Sequence, residues 1–175
     1  MLGKGIINGL TVTAWNFFGS YFSKSRLTTV QYPEGGNTVT AFSRNIPFLV
    51  FDDANAPIDS LRCVACKICE KECPPQCIYI VQDKDANGKL IKSPKIFDID
   101  ISVCMGCQIC VEVCPFESIK MDSHFELAGR DRFADLLLHR EQLAKSNDYY
   151  HKIHPAEARE VDDRLAAKQK KAGPA

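Results

Sequence analysis

Eight of the nine cysteines occur in two short runs that share one spacing. Residues 63–74 and residues 104–115 each read C-x2-C-x2-C-x3-C-P. This spacing is typical of proteins that hold [4Fe-4S] clusters through thiolates. Zinc is a poorer match, because zinc sites favour two pairs of cysteines separated by a longer loop. The cysteines therefore predict two [4Fe-4S] clusters, and a pair of zinc sites is the alternative.

The fourth cysteine of each run is expected to serve the cluster of the other run. Three cysteines at x2 intervals wrap one tight loop and reach three irons from one side. The fourth begins the next helical turn and points away, fixed by the proline that follows it. The sequence thus predicts two crossed ligand sets: Cys63, Cys66, Cys69 and Cys114 for cluster 1, and Cys104, Cys107, Cys110 and Cys73 for cluster 2.

The ninth cysteine, Cys77, lies where the second run has Ser118. This is a small-side-chain position just past the ligating turn, so we expect Cys77 to pack in the core without binding metal. A labile third site that uses Cys77 is the alternative. A cluster with four cysteine ligands has no open iron for a substrate, so the expected chemistry is one-electron transfer.

Both runs belong to an internal duplication with a constant offset of 41 residues, in which residues 58–80 match residues 99–121. Each copy ends in alternating apolar residues that suit a short strand. Between the copies, turn residues at 85–88 precede a further strand over 95–99, which indicates a hairpin. We therefore predict an α+β fold with a ferredoxin-like core over residues 58–121 that carries both clusters.

The segment before this core, residues 1–57, is predicted to be an N-terminal amphipathic helix followed by a docking segment. Apolar and aromatic side chains recur at helical spacing from Ile6 to Phe22. Residues 1–33 contain basic residues and no acidic ones, which suits an anionic membrane surface or a buried protein contact. About half of residues 5–23 are Gly, Asn, Thr or Ser, which is too polar for a confident membrane span. A helix packed on its own domain is the alternative.

The segment after the core, residues 122–175, is predicted to be a charged helical extension that covers a partner. One helix is expected over residues 131–146. A second is expected after Pro155, acidic in its first turns and basic in its last, which agrees with the helix dipole. All four histidines of the chain fall in this segment and are expected at the surface or at an interface: His124, His139, His151 and His154.

Charge and composition argue against several classes of protein. The 22 basic residues balance 22 acidic residues, so no nucleic-acid partner is expected, and free ferredoxin carriers are usually strongly acidic. An odd number of cysteines in two tight groups argues against a secreted disulfide scaffold. Neither a catalytic constellation nor a nucleotide-binding glycine loop accompanies the cysteines in the sequence. The chain is thus predicted to relay electrons, with any chemistry occurring on its partners.

Two further sequence segments occur together with the duplication and the aromatic N-terminal helix. These are VQYPE at residues 30–34 and FELAGRDR at residues 125–132. In this combination the chain resembles the two-cluster ferredoxin subunit of respiratory complex I, the NADH-quinone oxidoreductase subunit I (TYKY) family, over about residues 5–145. The resemblance implies two [4Fe-4S] clusters that pass electrons from the NADH side towards the last cluster beside quinone.

The resemblance also implies partners and a location. The partners are the other peripheral-arm subunits of complex I, which carry the donor and acceptor clusters, and the membrane subunit at the quinone site. The N-terminal helix is expected to contact the membrane surface, so the chain would be peripheral on the cytoplasmic face of the inner (cell) membrane. Two rivals stay open: the equivalent subunit of a hydrogenase-linked or ferredoxin-accepting membrane complex, and a free soluble two-cluster ferredoxin.

Overall fold

The computed structural model describes residues 2–26, 29–36, 39–40, 42–85 and 87–172. The chain divides into two compact units, Met1–Thr38 and Val39–Ala175. The first is called the N-terminal unit here and the second the core unit.

The N-terminal unit is built on one long helix, which confirms the helix predicted near the start of the chain. Helix α1 spans Leu2–Phe22 and is followed by a 3-10 turn at Lys24–Arg26. The apolar side chains along α1 are exposed, and Phe22 is 90% exposed. In the described part of the chain, no helix combines the length and apolar character that a membrane crossing requires.

Several polar side chains of α1 form hydrogen bonds within the N-terminal unit. The hydroxyl groups of Thr11 and Thr13 donate hydrogen bonds to carbonyl oxygens one turn earlier, at 2.8 and 3.0 Å. The guanidinium of Arg26 lies against Gly19 and donates to the amide oxygen of Asn16 at 3.1 Å. Hydroxyls bonded to the preceding turn place little demand on the surroundings of a helix, so α1 needs few polar contacts from outside.

The core unit contains two three-stranded sheets. Their strands, in chain order, are β1 Pro47–Phe51, β2 Ile78–Lys84, β3 Leu90–Asp100, β4 Ile119–Met121, β5 Leu137–Leu138 and β6 Ala144–Ser146. The first sheet has the order β4-β1-β6, with β1 antiparallel to β4 and parallel to β6. The second has the order β2-β3-β5, and its β2–β3 pair is the hairpin indicated by the turn residues at 85–88.

The core unit also contains four helices of four residues each, one helix of seven residues and one of eighteen. The helices are α2 Ile68–Lys71, α3 Ile109–Glu112, α4 Arg132–Asp135, α5 Arg140–Leu143, α6 Asn147–Ile153 and α7 Pro155–Ala172. Helices α2 and α3 occupy equivalent positions in the two repeats, at the third cysteine of each run. Helix α7 confirms the helix expected after Pro155.

The prediction of one helix over residues 131–146 is wrong. The structure has α4, β5, α5 and β6 in this range. Leu137–Leu138 pairs with the end of β3, and Ala144–Ser146 pairs with β1 in parallel. Two sheet edges therefore use backbone groups that a continuous helix would have bonded internally, and tertiary pairing overrides the local helical pattern.

Strand β1 lies within the predicted docking segment, residues 1–57, and it is the central strand of its sheet. Its alternate side chains are buried on both faces, which explains its continuous apolar sequence. Leu49 packs in the cluster of apolar residues that includes the cysteines. Phe48 and Val50 pack on the other face with Tyr150 and residues of α7. The sheet thus separates the cysteine region from the C-terminal helices.

A buried carboxylate ties β4 to the C-terminal segment. Asp122 is 2% exposed and pairs with the ammonium group of Lys145. It also accepts hydrogen bonds from the hydroxyl of Tyr149 at 2.8 Å and from the backbone N–H of His124 at 3.0 Å. Burial alone would raise the pKa of Asp122, but the bonds from these three partners lower it below its ordinary value.

Replacing this carboxylate by an amide tests its contribution. We expect Asp122→Asn to lower the free energy of unfolding by about 1–3 kcal/mol at pH 7, because buried donors lose a charged acceptor. A lowered native pKa stabilises the fold above the unfolded pKa, and this contribution is lost as pH falls through the native value. The difference between the two proteins should therefore shrink below about pH 4. Urea unfolding of the full chain at several pH values measures both effects.

Asp163→Asn is the matched control, because Asp163 is an exposed carboxylate on α7. It should change the free energy of unfolding by less than about 0.5 kcal/mol. Equal stability of the Asp122→Asn variant and the unmodified chain at pH 7 would contradict the role given to Asp122.

Candidate metal centre

The cysteines line two cavities, and each cavity draws on both repeats. Cavity 1, of about 300 Å³ including its open mouth, brings together Cys63, Cys66, Cys69 and Cys114. Cavity 2, of about 360 Å³ measured in the same way, brings together Cys104, Cys107, Cys110 and Cys73. These are the two sets grouped from the sequence, with three side chains from one run and the fourth from the other.

The remaining walls of both cavities are largely apolar. Leu49, Ile80 and Phe97 border cavity 1, and Ile78 and Ile99 border cavity 2. These residues come from β1 and from the β2–β3 hairpin, so both sheets enclose the sulfur atoms. An apolar wall keeps water from the sulfur and lowers the local dielectric, which makes any nearby hydrogen bond or charge more effective.

A repeated backbone conformation shapes the loops around the sulfurs. Three positions in each repeat have a positive φ, and they pair at an offset of 41: Ala65 (53°) with Gly106 (62°), Lys67 (62°) with Gln108 (70°), and Gln76 (51°) with Glu117 (54°). Five of these six residues are not glycine, and such strain persists only where the surrounding structure fixes it. Left-handed residues between right-handed ones turn successive N–H groups to one side, a conformation that favours bound anions and iron–sulfur clusters.

Backbone N–H groups accordingly donate hydrogen bonds to cysteine sulfur. Bonds from Ala65 to Cys63 and from Gly106 to Cys104 act to lower the pKa of those thiols. The backbone N–H of Ser118 lies 3.4 Å from the sulfur of Cys114. Hydrogen bonds of this kind stabilise negative charge on sulfur, and they are a main control of cluster potential.

Burial works in the opposite direction on several thiols. It raises the pKa of Cys63 to about 11, and with the neighbouring thiols it raises the pKa of Cys69 and of Cys110 to about 12. Thiolates at these positions therefore need a positive partner within the cavity. Bound iron would supply that charge, and the thiols would lose their protons on binding.

The ninth cysteine borders cavity 2 rather than lying elsewhere in the core. The sulfur of Cys77 lies 3.5 Å from that of Cys73. Its interaction with Cys104 lowers the pKa of Cys104 and raises the pKa of Cys77. Ser118 holds the equivalent place at cavity 1. The sequence aligned these two positions but carried no signal that their side chains reach the cavities.

The donor sets fit [4Fe-4S] clusters. Each cavity offers four sulfurs, apolar walls and inward N–H groups. In the described ranges, no group of Cys, His, Asp and Glu side chains is compact enough to hold a single metal ion. A cubane does not require such a group, because its four thiolates bind four different iron atoms.

None of the four histidines, all within the described ranges, lines either cavity. His139 pairs with Asp98 at 2.8 Å and His151 pairs with Asp162 at 2.6 Å, both partly exposed. The expectation that every histidine lies at the surface or an interface is wrong for His154. Its side chain is buried at 8% exposure, with Nε2 3.2 Å from the carbonyl oxygen of Met121, because α6 ends against β4.

A family model gives the class of protein that these cavities indicate. Residues 62–118 match the 4Fe-4S dicluster domain. The chain therefore contains a 4Fe-4S dicluster domain, and with its mixed sheets and helices the predicted α+β ferredoxin-like fold is confirmed.

Relatives extend the match beyond this domain. NADH-quinone oxidoreductase subunit I 1 of Geobacter sulfurreducens is 36% identical over 138 residues, which cover 79% of this chain and 94% of the relative. The subunit I protein of Methylococcus capsulatus is 41% identical over 119 residues, 68% of this chain and 66% of that protein. The chain belongs to the NADH-quinone oxidoreductase subunit I family, as the resemblance predicted.

Two further matches differ in how much they cover. Subunit I of Bdellovibrio bacteriovorus is 32% identical over 98 residues, so the match spans only about half of that relative, 53%. Among solved structures, a chain of the membrane-bound sulfane sulfur reductase, an archaeal respiratory membrane complex, aligns with a TM-score of 0.48 and 19% identity. That alignment covers 81% of this chain and 68% of the other.

The left-handed loop position at Gly106 offers a test of cavity 2. A methyl group added there would lie 3.3 Å from the carbonyl oxygen of Arg44. We expect Gly106→Val to lose much of cluster 2, and about half of the iron, because a β-branched residue at positive φ adds strain to a tight contact. Iron and labile sulfide content of the full chain measure the loss.

Ala65 provides the matched controls, because it adopts the same conformation in the first repeat with a side chain present. Ala65→Gly and Gly106→Ala should both retain most of the iron. Full iron content in the Gly106→Val variant would show that the loop tolerates a branched side chain and would contradict the prediction.

Proposed function

We propose that the chain relays single electrons through two [4Fe-4S] clusters as a subunit of an NADH-quinone oxidoreductase. Cysteines 63, 66, 69 and 114 bind cluster 1, and cysteines 104, 107, 110 and 73 bind cluster 2. The observation that supports this most directly is the composition of the cavities, each of which gathers four sulfurs from two repeats.

The residues around the cavities suit electron transfer better than substrate chemistry. Four cysteines at each cluster satisfy every iron, so a bound cluster supplies reversible one-electron reduction and no open coordination site. The apolar walls exclude water, and the backbone N–H groups stabilise the added negative charge without moving. Cys66 is the exposed ligand of cavity 1, and this edge offers a partner's redox centre a close approach.

The partners that we propose are the other cluster-bearing subunits of the complex and its membrane subunit at the quinone site. The relatives are named as subunits of NADH-quinone oxidoreductase. The exposed apolar face of α1 supports contact with the membrane surface, and Lys4 and Lys24 suit anionic headgroups. The chain would then be peripheral on the cytoplasmic face of the cell membrane. No nucleic-acid partner is proposed.

Serine variants of the cysteines test the crossed ligand sets without prior assignment of spectra. Cys66 and Cys107 are interior members of their runs and belong to cluster 1 and cluster 2 under any pairing. We expect Cys73→Ser to reproduce the low-temperature EPR changes of Cys107→Ser, because Cys73 lies in cavity 2. Cys114→Ser should likewise reproduce the changes of Cys66→Ser.

Cys77→Ser is the control for this series, and both cluster signals should survive it. Spectra in which Cys73→Ser matches Cys66→Ser would instead show that each run binds its own cluster. Zinc in place of iron, with no labile sulfide in the intact protein, would refute the proposed function altogether.

A pair of charge variants tests the membrane contact of α1. Phe17 lies on the aromatic stripe and forms edge-to-face contacts with Phe18 and Tyr21, with ring centroids 5.4 Å apart in both pairs. We expect Phe17→Asp to release the chain from membranes into the soluble fraction, because a buried carboxylate is costly in an apolar contact. Asn8→Asp adds the same charge to the opposite side and should keep the chain bound. Fractionation in low and high salt, with identification of co-purifying subunits, measures the result.

An unmodified chain found wholly in the soluble fraction, free of partners, would point to a ferredoxin carrier and contradict the subunit role. Release of both charge variants to the same extent would show that binding depends on charge alone.

A further inference from the structure

We infer that positions 77 and 118, equivalent in the two repeats, set the potentials of the two clusters through side-chain hydrogen bonds. The thiol of Cys77 donates to the cysteine ligands of cluster 2, and the hydroxyl of Ser118 donates to a cysteine ligand of cluster 1. This inference rests on the proposed function, because it requires the two clusters, and it assigns these side chains a role beyond packing.

At cavity 2 the donor is Cys77. It is 8% exposed and forms part of the cavity wall. Its sulfur lies 3.5 Å from that of Cys73, and Cys104 lines the same cavity, so Cys77 borders sulfurs from both repeats. A thiol can act as a hydrogen-bond donor. Cys77 is therefore placed to donate to a thiolate at either position.

At cavity 1 the equivalent donor is Ser118. Its side chain is 2% exposed and belongs to the wall of that cavity. Its backbone N–H lies 3.4 Å from the sulfur of Cys114, and its side chain lines the cavity together with Cys63. The duplication carries Cys73 onto Cys114 and Cys104 onto Cys63, so the two donors face corresponding sulfurs.

The Ser118 hydroxyl also lacks a hydrogen-bond partner of ordinary geometry among the described residues, and its oxygen is buried. A buried hydroxyl left unpaired costs about 1–3 kcal/mol. A cluster-bound thiolate at Cys63 is a charged acceptor in the place where this hydroxyl needs one.

The two side chains differ in donor strength, and this difference predicts which cluster's midpoint potential is raised more. Reduction adds one electron to a cluster and makes its sulfurs more negative, while the proton stays on the donor. A hydrogen bond to sulfur therefore stabilises the reduced form and raises the midpoint potential. A hydroxyl is a stronger donor than a thiol, so this contact should raise the potential of cluster 1 more than that of cluster 2.

Alanine variants of the cluster-loaded full chain test each donor separately. Redox titration followed by EPR gives the two midpoint potentials, and the signals are assigned by comparison with Cys66→Ser and Cys107→Ser. We expect Cys77→Ala to shift cluster 2 to a more negative potential and to leave cluster 1 unchanged. Ser118→Ala should do the reverse. Cys77→Ser restores a donor and should return cluster 2 to its original potential or a higher one.

Iron and labile sulfide content separate tuning from structural damage. Full content with unchanged potentials in both alanine variants would overturn the inference, as would equal shifts of both clusters in either variant. Loss of cluster 2 in both Cys77 variants would identify Cys77 as a ligand and also overturn it. Failure of the proposed function has a different signature, namely the absence of iron–sulfur clusters from the unmodified chain.

Discussion

The structure depends on an exchange between its two repeats, in which each sulfur-lined cavity takes its fourth cysteine from the other copy. The cysteines are part of the main apolar core, where Cys69 and Cys73 are buried beside Ile80 and Ile99. Neither repeat could keep its own cavity if the other were displaced. Apolar packing and the sulfur sets therefore stabilise the same arrangement, and cluster binding adds to the stability of a fold that is already built around it.

The C-terminal extension has a structural role at cavity 1 in addition to any role at a partner. Glu117, just past the Cys114 turn, accepts hydrogen bonds from Lys120 at 2.7 Å and from Arg164 of α7 at 2.8 Å. Lys168 of α7 donates to the carbonyl oxygen of Pro115 at 3.1 Å. Burial alone would raise the pKa of Glu117, but Lys120, helped by the charges on α7, lowers it. The extension thus holds the loop that carries the crossing cysteine.

The sequence predicted the cysteines that line each cavity, but it did not predict all of the strands around them. Cysteine spacing and the 41-residue offset are local signals, so they gave the grouping of sulfurs that line each cavity. Strands β5 and β6 could not be found in this way, because each is only two or three residues long and forms by pairing with a distant strand. From the sequence, the position shared by Cys77 and Ser118 was predicted only to hold a small packed side chain. Which sulfurs these side chains face depends on contacts that form in the folded chain.

The crossing also has a consequence for the order in which the sites can be completed on the ribosome. Cys69 is made 45 residues before Cys114, so the first repeat emerges with three cysteines in place and one wall of its cavity missing. For cavity 2 the order is reversed, because Cys73 is translated before the three cysteines of the second repeat. Both cavities consequently close late in synthesis. A nascent chain halted between the repeats would lack the fourth sulfur of cavity 1 and three of the four sulfurs that line cavity 2.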